Sequence, residues 1–365
     1  MSATTEPEGL EPRTTLFDHA LRLHRDNPDG VLTRDGEPYP DDALHSGRRL
    51  KGHSDRRLDG ADVTAVLDEH FARTDAPPSE LADAFHDLYV PIHRNDHIAA
   101  AALRADRQRV RRTGRWLVRH ATDRCSATVG LALLATDWTD EDIPLIQTIG
   151  LLSKQFGPLA TEALSRRVSG TEALLWLAQR VAGWGRVYVV EQLCQRGVDG
   201  PAREWLLRHA CDGDFLNGYF AGQLATAAHL HEAVLSSEAD DDLWDHAGRL
   251  LKIMGDCGGV GMTLEHYPPA PIVLTAHATH LAAQAPTAAR YTTAAFIAHH
   301  LADKAPHRSG CTAEERDHIV RRYLSVLDQP DWCDVVRADI DPSNDFYPWF
   351  ADAVASPLHL RAFSD

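Results

Sequence analysis

Between residues 104 and 124 the chain carries arginines at a spacing that could build an anion-binding face. Arg104, Arg107, Arg111 and Arg115 fall 3, 4 and 4 positions apart, and Arg112, Arg119 and Arg124 add to the local charge. On one continuous helix, residues so spaced share a side. The planar guanidinium fork suits carboxylates and phosphates, so such a face could dock an acidic peptide, a nucleotide or a nucleic-acid backbone. The competing reading is a solvated helix face neutralised by Asp96, Asp106, Asp123 and the acids of a neighbouring repeat. Exposed helix charges are ordinary and individually worth little.

A second candidate is Trp184-Gly185-Arg186-Val187-Tyr188. Trp184 and Tyr188 flanking Arg186 at a corner between helices could stack on a flat ligand or anchor a peptide. Structurally, the same residues read as a tryptophan packed under a turn, with Gly185 letting the chain reverse.

The 21 histidines raise the question of metal. His93 and His97 have the i,i+4 spacing of a helical zinc pair but lack the glutamate after the first histidine. His229/His231, His277/His280 and His299/His300 are equally generic, so no metal site is named. Nucleophilic catalysis has no visible signature: no Gly-x-Ser-x-Gly elbow occurs, and no cysteine has a readable histidine partner. Gly258-Gly259-Val260-Gly261 lacks the Lys-Ser/Thr of a phosphate loop and reads as a turn. Carboxylate pairs such as Asp341 and Asp345 carry little information in so acidic a chain. No cofactor and no catalytic residue are assigned.

The elements that must position these residues are helices in tandem. Trp116-Leu117-Val118-Arg119-His120-Ala121 returns at Trp176-Leu177-Ala178 and at Trp205-Leu206-Leu207-Arg208-His209-Ala210, with steps of 60 and 29 residues. Each copy heads an apolar helical segment, then a polar break, then a second apolar segment. A helix pair of that length cannot bury its own apolar face and must lean on its neighbours. The three tryptophans are therefore expected in the core.

Helical periodicity starts near Asp62, with Val63, Val66, Leu67 and Phe71 on one face. Ser79 is expected to cap a helix reaching Tyr89, and a long helix runs from about Arg94 through Trp116, bent near Gly114. Thr139/Asp142, Ser169/Glu172 and Thr312/Glu315 read as capping boxes. Gly200-Pro201 opens the Trp205 helix, and Leu216, Phe220 and Leu224 form a buried stripe. Two Ala-rich helices lie near 271–285 and 288–303. Trp332, Phe346, Tyr347, Trp349 and Phe350 suit the closing end of a stack. No segment alternates with period two, so a sheet is not expected.

Residues 1–60 are read as a mostly irregular or disordered N-terminal arm with one short helix, Leu16 to Leu23. From Asp26 to Asp59 turn residues dominate, with Asn27-Pro28-Asp29-Gly30 and Asp35-Gly36-Glu37-Pro38 as the clearest signals. Residues 61–365 are read as one α-solenoid, most regular over 110–235, with a C-terminal cap over 236–365.

Bulk properties narrow the partners. The chain has 365 residues, 44% of them hydrophobic, and a formal net charge of −16 from 53 acidic and 37 basic residues. Such a balance opposes nonspecific duplex binding, which draws its affinity from phosphate neutralisation. Lysine occurs only at Lys51, Lys154, Lys252 and Lys304; that skew, with abundant alanine, suggests a high-GC bacterial genome. The six cysteines are scattered and read as reduced, apolar residues. With no secretory leader and no apolar run of about 20 residues, a cytoplasmic protein is expected.

With helix pairs, a pitch near thirty residues and Trp-Leu-x-Arg-His-Ala heads, the region 110–235 resembles HEAT/armadillo repeats. The wider run, with Pro91 to His97 and Gln329 to Trp332, is similar to uncharacterised bacterial HEAT-like proteins. The resemblance implies an all-α solenoid binding a protein or peptide partner along a curved face, without chemistry of its own. It also admits a second class, because HEAT-like folds include alkylpurine DNA glycosylases, whose basic groove, aromatics and acid could here be the 104–124 arginines, Trp184, Tyr188 and Asp212. A third is a small-ligand or pigment lyase of the short-repeat HEAT type.

Overall fold

The computed structural model describes residues 14–33, 38–47, 50–341 and 343–364. Expectations for residues 1–13 and for Asp35 to Glu37 fall outside them. The chain is all-helical, with no strand among the described residues. It divides into two compact units, Met1–Gln192 and Leu193–Asp365.

The first unit holds α1 (Leu16–Asp26), α2 (Asp42–His45), α3 (Ala61–Ala72), α4 (Asp96–Arg104), α5 (Arg107–His120), α6 (Arg124–Leu134), α7 (Ile143–Gly150), α8 (Ser153–Ser165) and α9 (Gly170–Ala178). The division falls within α10 (Trp184–Arg196). Neighbours in sequence pack together: α6 lies against both α5 and α8, and α9 against α7 and α8. The α5–α6 seam is closed by glycine. A Cβ on Gly130 would stand 2.6 Å from the Leu117 Cβ and 3.0 Å from the Gly114 carbonyl oxygen. Gly114 thus marks a close backbone approach, with α5 helical on both sides of it.

The expected long helix through Arg94 and Trp116 is two helices. Ala105 is extended, and the Asp106 side chain accepts from the Arg109 N–H at 2.9 Å, capping a new start. A capping aspartate satisfies a donor that an uninterrupted helix would have bonded internally. Residues 79–89 likewise form no α-helix beyond a 3-10 turn at Pro78–Leu81. Tertiary bonds compete there: the Ser126 hydroxyl takes the Ala82 carbonyl at 2.6 Å, and His86 turns to Asp123.

Two of the three expected capping boxes are replaced. Thr139 donates to Asp137, and Ser169 donates to Asp140 at 2.8 Å, so neither caps its helix. Thr312 and Glu315 do form the reciprocal pair.

The repeat heads share one burial phase. Thr113, Gly114, Leu117 and Val118 are buried in α5, and Ala173, Leu174, Leu177 and Ala178 occupy the same places in α9. Counted from the tryptophan, the fully buried residue is the leucine after it. Trp116 and Trp176 themselves are half-buried and only Trp205 is buried. Trp116 lies tilted against His120, and Trp176 meets His24 edge-on with Arg180 over its ring. The Trp116 and Trp176 indoles stay at the rim while the leucine after each is fully buried.

The described part of residues 26–59 is tied to the first unit. Leu32 N–H donates to the Arg180 carbonyl at 2.9 Å, the Tyr39 hydroxyl to Leu152 O at 3.0 Å, and buried Asp41 accepts from the Arg124 guanidinium.

The second unit contains α11 (Gly200–His209), α12 (Ala221–Ala227), α13 (Leu230–Ala233), α14 (Asp241–Asp256), α15 (Ala270–Leu281), α16 (Ala288–Asp303), α17 (Ala313–Leu327), α18 (Pro330–Asp339), α19 (Phe346–Phe350) and α20 (Ser356–Leu358). α14 packs on α11, α15 and α16, and α17 on α15 and α16. Leu216, Phe220 and Leu224 are all buried. The Gly258–Gly261 turn is required by contact, since a Cβ on Gly261 would lie 1.9 Å from the Gly218 carbonyl oxygen. Phe296, Phe346, Trp349, Phe350 and Phe363 form one aromatic cluster near the chain end. Among the described residues no helix is long and apolar enough to cross a membrane.

Candidate functional site

The arginine series does not form one face. Arg104 ends α4 and binds Asp68 at 2.7 Å, on a different helix from the rest. Arg107, Arg111 and Arg115 lie along α5 and are held by acids after α6. Arg107 Nε donates to Asp137 at 3.0 Å, Arg111 Nε to Asp142 at 3.1 Å, and Arg115 Nη2 to Glu141 at 3.0 Å. Arg119 is exposed, with its guanidinium over the Phe17 ring at 5.5 Å. Burial opposes ionisation of Asp137, but hydrogen bonds from Arg107, the Trp138 N–H and Thr139 outweigh it and hold its carboxyl low. Hydrogen bonds and charge from Arg115 and Arg111 do the same for Glu141. Asp106 and Asp123 cap α5 and α6 instead of neutralising the arginines.

The same acidic segment sits on a buried cation absent from the sequence reading. Arg167, 1% exposed, donates to the Asp137 carbonyl at 2.7 Å, Ala163 O at 2.6 Å and Leu134 O at 2.9 Å. It closes the C-terminal ends of α6 and α8 together, where carbonyls lack intrahelical partners.

Trp184 and Tyr188 lie one turn apart at the start of α10, their rings stacked at 5.9 Å, with His93 edge-on to Tyr188 at 5.8 Å. Arg186 is not between them: it is buried and donates to the Val181 carbonyl at 3.2 Å. The reversal belongs to Gly183, at φ +57°, while Gly185 lets α10 approach Ser153. His93 and His97 do not converge, because His97 bonds the Arg57 carbonyl at 2.7 Å. Asp212 accepts from the Asp214 N–H and the Asn217 amide, stabilising its own turn.

Among the described residues of the first unit, two features have the character of a site. One is a pair of grooves divided by a ridge of exposed apolar side chains. The ridge is Leu103, 76% exposed, and Trp138, 60% exposed. On one side a groove of about 220 Å³ runs between α4, α6 and α8, floored by Ile98, Ala132 and Leu159. Its rim is charged: Glu162 meets Arg166 at 3.0 Å and Arg94 at 3.4 Å, and Arg166 lies 5.7 Å from the Trp138 ring centroid. On the other side a hollow of about 240 Å³ reaches Val110, Arg107 and Arg111.

The second feature is a buried knot of donor atoms at the start of α6. Asp123 is 3% exposed. Its Oδ1 accepts from the Cys125 N–H at 2.8 Å, and its Oδ2 lies 2.7 Å from His86 Nδ1 and 3.1 Å from His45 Nε2. The two imidazoles are 5.3 Å apart. One donor atom each from His45, Asp123 and Cys125 lies within 4.8 Å of the others. Burial raises the Asp123 carboxyl, but the His86 and Cys125 hydrogen bonds and the nearby imidazoles outweigh it and hold it low. Burial and the neighbouring Asp123 push the Cys125 thiol up to about 12. Spacing offers no signal for this knot, since His45 and His86 stand 78 and 37 positions from Asp123.

Comparison with known protein families, curated proteins and solved structures gives no match.

Proposed function

We propose that this protein is a non-enzymatic scaffold of HEAT/armadillo type, built from stacked helical hairpins, that holds a segment of a protein partner in the first unit. The observation that carries this reading is the Leu103–Trp138 ridge. Large apolar side chains this exposed, side by side between two grooves, mark interaction sites more often than isolated surface residues do. Tryptophan and arginine are among the residue types that carry most of the binding energy in such interfaces. The predicted arginine series bears on this reading as a paired rim, since Arg107 and Arg111 border the second hollow while holding Asp137 and Asp142. The favoured occupant is therefore an apolar anchor with mixed polar flanks. A phosphate backbone would need free cationic charge, and Arg107, Arg111 and Arg115 are committed to carboxylates.

The test is selection from a displayed random-peptide library against the intact chain, followed by affinity measurement of the enriched peptides. Enriched sequences should share an apolar anchor, and Leu103→Asp and Trp138→Asp should each weaken them by at least about tenfold. Absence of enrichment, or peptides indifferent to both substitutions, would refute the reading.

A further inference from the structure

The geometry points to a divalent-metal site for zinc formed by His45, His86, Asp123 and Cys125. Three segments distant in sequence bring together two imidazole nitrogens, a carboxylate oxygen and a thiol sulfur. That is a nitrogen, oxygen and sulfur set, which zinc accepts at four-coordinate tetrahedral sites. Calcium and magnesium take oxygen ligands almost exclusively, and the knot offers one ligating carboxylate.

The dimensions fit. Zinc bond lengths place tetrahedral ligand atoms about 3.3–3.8 Å from one another. Here His45 Nε2 and Asp123 Oδ2 stand 3.1 Å apart, and no pair among the His45, Asp123 and Cys125 donors exceeds 4.8 Å. Closing on an ion draws these three donors inward from separations of up to 4.8 Å. His86 Nδ1, 2.7 Å from the same Asp123 oxygen but outside that group of three, is the fourth donor and must move in on binding.

The surroundings are held in place as a metal site requires. Asp123 is pinned through Oδ1 by the Cys125 N–H, which leaves Oδ2 turned toward both histidines. Asp41, 3.3 Å from the same His45 Nε2, is itself gripped by Arg124, which holds that carboxylate in place beside the knot. On binding, the thiol proton leaves to solvent, and each imidazole carries its single hydrogen on the ring nitrogen away from the metal. One proton is released per ion through the thiol. The bound ion would tie α2 to the 82–89 segment and to the start of α6.

The experiment uses the tag-free full chain, stripped with chelator and titrated with Co²⁺ and with Zn²⁺ alone. One Co²⁺ per chain should bind, giving a thiolate-to-cobalt band in the near ultraviolet and the intense visible bands of tetrahedral cobalt, both bleached by Zn²⁺. Cys125→Ser should remove the near-ultraviolet band, and His45→Gln and His86→Gln should each weaken Zn²⁺ by at least about tenfold. Zn²⁺ should raise the melting temperature of the parent chain and not that of a His45→Gln/Cys125→Ser double variant. Far-UV circular dichroism of the stripped variants checks that they are folded. Cobalt uptake without a thiolate band, or uptake unchanged in the double variant, would overturn the proposal, as would no uptake at all. The last result would leave the knot a hydrogen-bonded His–Asp–His cluster.

Discussion

Replacing Arg167 should damage the first unit far more than replacing Arg166, although the two are adjacent and chemically identical. Arg167 spends its guanidinium on three main-chain carbonyls from α6, the loop after it and α8. Arg167→Leu removes three charge-assisted donors and leaves those acceptors in a site closed to water. Each unsatisfied buried polar group costs about 1–3 kcal/mol. Part of the loss is offset because the desolvation of the guanidinium, which depresses its own pKa, is no longer incurred. A destabilisation of about 3–4 kcal/mol results. Arg166 is half-buried, pairs with Glu162 at 2.9 Å and covers Trp138, so Arg166→Leu should cost under about 1 kcal/mol. Arg167→Lys should fall between, because an ammonium cannot span three carbonyls as a fork does. Urea titration followed by tryptophan fluorescence and circular dichroism reads all three, with Trp116, Trp138, Trp176 and Trp184 reporting on the first unit. If Arg167→Leu and Arg166→Leu shift the transition equally, the assignment of Arg167 as the pin beneath the acidic segment is wrong.

Other expectations follow from contacts of the same kind. Gly130→Ala should cost about 3 kcal/mol, since the new methyl meets backbone that cannot turn aside; Gly258→Ala, with nothing within 4 Å, should stay within about 0.5 kcal/mol. Equal melting temperatures for the two variants would contradict the α5–α6 seam. Burial holds the His277 imidazole down at about 4, against a weak opposing pull from Asp245. The unfolded chain therefore takes up a proton near pH 6.5 that the folded chain refuses until about pH 4. Stability should fall by about 1.4 kcal/mol per pH unit across that window, roughly 2 kcal/mol by pH 5. His277→Gln should flatten this slope in urea titrations at pH 7 and 5, and an unchanged slope would exclude His277 as its source. Thr312→Ala should cost about 1 kcal/mol through loss of the α17 cap, which thermal unfolding of the second unit would register.

Local rules read well where the chain's own neighbours decide. The Gly200-Pro201 start of α11 and the Thr312 cap depend on residues within a turn or two, and they stand as expected; Leu216, Phe220 and Leu224 are buried, but divided between a 3-10 turn at Phe215–Tyr219 and α12. Where a distant group competes, the local rule loses. Ser169 was free to cap α9 only if Asp140 did not claim its hydroxyl. Residues 79–89 had a capping serine at their head, yet Ser126 and Asp123 recruit their carbonyl and imidazole instead. The arginine series had correct spacing but lost its continuity to one capping aspartate, Asp106. The acids that pair with Arg107, Arg111 and Arg115 arrive after α6, and are not Asp96, Asp106 or Asp123. The tryptophans at 116 and 176 mark helices but not their buried centres, because an apolar pattern does not distinguish a rim indole from the leucine beside it. The donor knot was beyond reach for a simpler reason: only Asp123 and Cys125 are near one another along the chain.

The glycine seam between α5 and α6 also bears on how this chain can change over evolutionary time. Positions 114 and 130 accept hydrogen alone, because each faces the other helix's main chain at contact distance. Every neighbouring side chain can drift in size or charge if its partner drifts too. Those two cannot, for no compensating change elsewhere shortens a backbone. Descendants are therefore free to rewrite the ridge, the arginines and the repeat heads, provided that this pair of helices keeps its bare join.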